Sequence, residues 1–77
     1  MTAEQIIAAL IGAEYTVSQK NKNLIDVLRN DYSVSHDIVK VSAQTWQVSK
    51  VSVSGYDLKN KIVISPAEIV AFIQKNP

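Results

Sequence analysis

The chain contains one histidine, His36, with Asp37 beside it, and no cysteine. A histidine and a carboxylate can share general acid–base work when their side chains meet. Here they are sequence neighbours, and neighbours on a strand point to opposite faces. His36 sits among polar residues and reads as a surface side chain. No histidine or carboxylate cluster has the spacing of a metal site. The two glycines, Gly12 and Gly55, stand alone and do not form a phosphate-binding loop. The expectation is a protein that is not an enzyme, needs no cofactor or metal and takes no small-molecule substrate.

Charge offers more. Lys20, Lys22 and Arg29 fall close together, and Lys59, Asn60 and Lys61 form a second group in the stretch YDLKNK. Residues of these types contact phosphates when they share a surface, and otherwise they are solvated charge. Asp26, Asp31 and Asp57 lie among them and weaken any positive field. Eight basic residues against seven acidic ones leave a net charge of +1, neither a polybasic tail nor an acidic mimic of DNA. All the basic residues but Arg29 are lysines, whereas readers of phosphate and guanine usually carry more arginine.

These residues must be held by a small frame. The chain has 77 residues, 47% of them hydrophobic, with two glycines and two prolines. That suits one small globular domain with one core and no long linker. The longest apolar run, residues 6–11, is far too short for a membrane span, and its flank lacks the positive charge of a secretory signal. Without cysteine, disulfides and thiolate metal sites are excluded. A soluble, intracellular, cytoplasmic protein is expected.

Helix signals are strong at both ends. Thr2 and Gln5 have the spacing of a capping box ahead of Ile6, Ile7, Leu10 and Ile11, with Gly12 as the stop. This helix should expose Glu4 and Ala8 and bury its isoleucines. At the other end, SPAEIVAFIQKNP offers Ser65 as cap, Pro66 at the first helical position and Glu68 at the third. Ile69, Val70, Phe72 and Ile73 supply its buried stripe, and Lys75 suits the negative end of the helix dipole.

Between them, YTVSQKNKNLIDVLRNDY allows two readings. One is a helix capped by Asn21 or Asn23, with Leu24, Ile25, Val27 and Leu28 inward. The other is a hairpin of residues 15–19 against 24–29, turned at KNKN. LIDVLR lacks a strict period of two, which favours the helix. Residues 37–55, DIVKVSAQTWQVSKVSVSG, also allow two. VSAQTW resembles the turn and second helix of a helix-turn-helix, and Gln44, Thr45, Gln47 and Lys50 would then face a base or phosphate. The alternation of valine and serine instead suggests strands wet on one face. Parity slips between Val48 and Val51, which a β-bulge near Ser49 and Lys50 explains. Strands at 37–42, 46–54 and 60–65 follow, with YDLKN as a polar turn. Trp46 belongs either to the core or to an interface. The expected architecture is α+β, with two N-terminal helices, a three-stranded antiparallel meander and a C-terminal helix, winged-helix-like in outline.

ALIGAEYTVSQ, LIDVLRNDYSV and SGYDL together resemble small phage-type winged helix-turn-helix regulators, through residues 9–16, 24–34 and 56–58. That resemblance implies a recognition helix at 20–30 with a wing after it. The family needs two helices between the threonine and the LR pair, and this chain has room for about one. KIVISPAEIVAFI resembles the wing-to-helix end of excisionase-like proteins, which implies a recognition helix around 43–50 instead. On either basis the expected function is a DNA-binding regulator, possibly phage-encoded, that contacts double-stranded DNA through Lys20, Lys22, Arg29, Lys59, Asn60 and Lys61. The modest charge then implies a homodimer. The alternative is a protein-binding module or small inhibitor that engages a protein partner through its sheet edge or a helix face.

Overall fold

Both ends of the chain are helical for the reasons their sequences give. In a computed structural model, which describes the backbone of residues 1–52 and 55–77 and the side chains of 1–52 and 59–77, helix α1 spans Ala3–Gly12 and helix α2 spans Pro66–Lys75. Thr2 and Gln5 close the capping box on α1. Ser65 accepts from the Glu68 amide at the start of α2. The end of α1 differs from the simple glycine stop. Gly12 is its last residue, and the reversal occurs at Glu14, whose φ of 69° is left-handed. The Tyr15 amide then bonds the Leu10 carbonyl across that turn at 3.0 Å.

Every described element between the helices is a strand. β1 (Thr16–Asn21), β2 (Leu24–Leu28), β3 (Val34–Lys40), β4 (Trp46–Ser52) and β5 (Gly55–Val63) form one antiparallel sheet in the order β1-β2-β3-β4-β5. This corrects the expected second N-terminal helix and three-stranded meander: the described residues form two helices, one at each end, and five strands. Residues 24–28 pair with β1 on one side and β3 on the other. Asn21 does not cap a helix. Its side chain accepts from the Asn23 amide at 2.8 Å and shapes a two-residue hairpin turn. Residues 46–52 are likewise strand, so neither expected recognition helix forms.

The stretch SAQT turns through Ser42. Its hydroxyl accepts from the amides of Gln44 and Thr45 and pairs with the Thr45 hydroxyl at 2.6 Å. YDLKN is part of β5 and not a wing tip, and Val53 and Ser54 lie outside the described residues. Register does shift between Ser49 and Val51, where the sequence placed a bulge. The extra residues belong to β5, because Ser49 opposes Asn60 while Val51 opposes Tyr56.

Both helices cover the same face of the sheet. They touch each other, α1 against β1 and α2 against β4 and β5. The core between the layers holds Ile6 and Leu10 of α1, Ile69, Phe72 and Ile73 of α2, and Ile25, Val27, Ile38, Trp46, Val48 and Val63 of the sheet. Trp46 is its largest buried side chain, and its indole Nε1 donates to the Met1 carbonyl. Fully burying a side chain the size of leucine or isoleucine is worth about 1.5–3 kcal/mol. Ile11 escapes this layer and is 58% exposed. It lies five residues, or about 140° of helical rotation, from the fully buried Ile6.

His36 is buried rather than on the surface. It follows a bulge: Val27 opposes His36 while Leu28 opposes Val34, leaving Ser35 extra. The Ser35 hydroxyl donates to the Val27 carbonyl and lies 2.9 Å from His36 Nδ1. His36 Nε2 meets the backbone carbonyl of Asn76 just beyond α2, and its ring packs edge-on against Phe72. The histidine therefore ties the sheet to the C-terminal helix. Burial lowers its pKa, opposed by the Asn76 carbonyl.

Candidate functional site on the open face of the sheet

Strand alternation decides what the uncovered face carries. Ile25, Val27, His36, Ile38, Trp46 and Val48 point toward the helices, so Asp26, Asp37, Gln47 and Ser49 point away. The pairing aligns Ser18, Asp26, Asp37, Ser49 and Asn60 in one row across all five strands. Asp26 and Asp37 are direct cross-strand partners at its centre, and both are buried, at 6% and 5% exposure. Like charges placed directly opposite destabilise a sheet.

The next row is Leu24, Val39, Gln47 and Ile62. Val39 and Ile62 are exposed, as are Val41 and Ile64, which continue the same parity just past the ends of β3 and β5. Among the described residues, Val39 and Ile62 therefore border one side of the carboxylate row, with exposed Val41 and Ile64 beyond them. A sheet face left to water normally carries polar residues there.

Lys20 reaches in from the β1 edge to 3.8 Å from the Asp26 carboxylate, with its own side chain about half exposed. Burial pushes the Asp26 carboxyl above its ordinary range, Lys20 pulls it back, and Asp37 pushes it further up. Among the described residues this is the only ion pair, and it goes to Asp26, not Asp37.

The six residues expected to bind nucleic acid do not share a surface. Lys20 is bound up with Asp26. Lys22 stands in the β1–β2 turn, beside a shallow depression shared with Lys40 and Ser42. Arg29 is structural: its guanidinium donates to the Ser33 hydroxyl, the Val34 carbonyl and, from Nη2, the Val51 carbonyl at 2.8 Å. Lys59 and Lys61 lie on β5 and line a cleft of about 440 Å³ against α2, with Glu68, Phe72 and Lys75. Asn60, between them, also lines that cleft and falls in the row that crosses the open face. Lys75 joins this second group only through the packing of α2 on β5.

Sequence reasoning missed Asp26 and Asp37. The sequence offers Asp26 only as a charge that weakens a positive field, and Asp37 only as a neighbour of His36. A signal was present for Asp26, a single acid between Ile25 and Val27 in LIDVL, but not for Asp37, which follows His36. Among the described residues, no group of three or more His, Asp or Glu could hold a metal ion. No described helix is long and apolar enough to cross a membrane. No family model, curated protein or solved structure matches the chain.

Proposed function

We propose that the protein is a non-enzymatic protein-binding module that engages its partner through the open face of its sheet. One observation carries this reading: exposed Val39 and Ile62, with Val41 and Ile64 beyond them, border a carboxylate pair on the sheet face opposite both helices. Exposed apolar groups gathered beside a polar centre are what a docking surface presents. The cysteine-free composition suits a reducing compartment, and the same reading places the protein inside the cell. Its test is substitution at the apolar border. Ile62→Ser and Val39→Ser should leave the fold intact and abolish partner binding. Partner affinity unchanged in both folded variants would refute the reading.

Binding of double-stranded DNA is the second reading, supported by Lys59, Lys61 and Lys75 around one cleft. Under it, Lys59→Glu with Lys61→Glu should weaken binding to generic duplex DNA and flatten its salt dependence. An unchanged affinity in the folded double variant would end this reading.

A further inference from the structure

The geometry points to a specific occupant for the centre of the open face: an arginine side chain of a partner protein, flanked by apolar residues and seated over Asp26 and Asp37. This rests on the protein-binding reading and adds the chemistry of the contact.

Asp37 is about nineteen-twentieths buried, and strand alternation points it to the open face. No described residue gives its carboxylate a hydrogen bond or ion pair, and Lys20 is engaged with Asp26. No buried side-chain oxygen among the described residues is left unsatisfied, so the Asp37 carboxylate still opens to the surface of this face. Being set directly opposite a second carboxylate is costly, and a cation above the two relieves that cost. Cross-strand partners have Cβ atoms only about 5 Å apart, a separation that one planar guanidinium, with five donors, can bridge.

The surroundings select among cations. A divalent metal ion needs six or more oxygen ligands, several of them water. Here one flank of the pair is Leu24, Val39, Gln47 and Ile62, of which only Gln47 offers an oxygen, too few for such a shell. A peptide arginine brings apolar neighbours that cover those residues as the charge seats. A second copy of this chain fits poorly, because sheets packed face to face would oppose two carboxylate pairs.

The experiment is selection of a displayed library of random twelve-residue peptides on the intact protein, with the winners synthesised and titrated by NMR. Winners are expected to carry arginine among apolar residues and to shift the amides around Asp26, Asp37, Val39 and Ile62. Asp37→Asn and, separately, Asp26→Asn should each weaken them about tenfold or more, the loss expected when a charge-assisted hydrogen bond goes. Thermal melts establish that each variant is folded. Arginine-to-glutamine peptides should weaken similarly. Winners lost with Ile62→Ser but indifferent to Asp37→Asn and Asp26→Asn would overturn the arginine seat and keep the docking face. Winners indifferent to Ile62→Ser as well, or the absence of any winner, would overturn both. Shifts at Asp26 and Asp37 with magnesium or calcium chloride alone would assign the pair to a metal and overturn the seat. Dimerisation abolished by Ile62→Ser would assign the face to a second copy and do the same.

Discussion

Replacing Asp37 with asparagine should make the free protein more stable. The substitution keeps the size of the side chain and removes one of two like charges that face each other across β2 and β3. Such opposed pairs cost about 0.2–1 kcal/mol relative to neutral ones. Unfolding entropy of about 2.1 cal/mol/K per residue comes to roughly 160 cal/mol/K for a chain of this length, so that gain raises Tm by about 1–6 °C. The assay is thermal and urea denaturation at neutral pH of the native protein, Asp37→Asn, Asp26→Asn and the double variant. The cycle isolates the coupling between the two carboxylates. Asp26→Asn alone should gain less, because it also gives up the contact with Lys20. Acid titration gives a second readout. The folded-state pKa of Asp26 is raised above the ordinary 3.8, so the folded protein holds more protons in that window. Its contribution to stability therefore increases as pH falls from neutral through the raised pKa toward 3.8. Asp37→Asn should reduce this increase without abolishing it, since burial is the larger cause of the shift. A destabilised Asp37→Asn, or a cycle with no coupling, would show that the two carboxylates do not oppose one another and would remove the basis for the seat above them.

Other substitutions test other parts of the frame. Glu14→Gly should stabilise by about 0.5–1 kcal/mol in urea denaturation, because a non-glycine residue now holds the left-handed position that ends α1. Arg29→Met should cost about 0.5–1.5 kcal/mol by removing the exposed hydrogen bonds to the Val34 and Val51 carbonyls, while leaving any affinity for DNA unchanged in a filter or anisotropy assay. His36 has a folded pKa below its ordinary 6.5. Its contribution is therefore present above that value and is lost as pH falls below 6.5 toward the folded pKa. Melts between pH 7.5 and 5 should show this loss, and His36→Gln should not.

The sequence alone determined what depends on neighbours a few residues apart. The capping box at Thr2 and the Ser65–Pro66 start of α2 formed as read, because a helix end is satisfied by groups within one turn. The strand at residues 46–52 was also legible, since pleating is a local property, but the bulge expected at Ser49 and Lys50 was not, because the extra residues lie in β5. Residues 24–28 were not. LIDVL has apolar residues on both faces, so its periodicity could not choose between helix and strand. The choice fell to hydrogen bonds with β1 and β3, whose partners reach as far as Val39, opposite Leu24. The candidate site is more strongly tertiary still. Asp26 and Asp37 are eleven residues apart and become neighbours only through strand register. The apolar border beside them stands open because both helices pack on the opposite face. Ile62 and Val39 are left in water for the same reason: the sheet has two faces, and the described chain covers one.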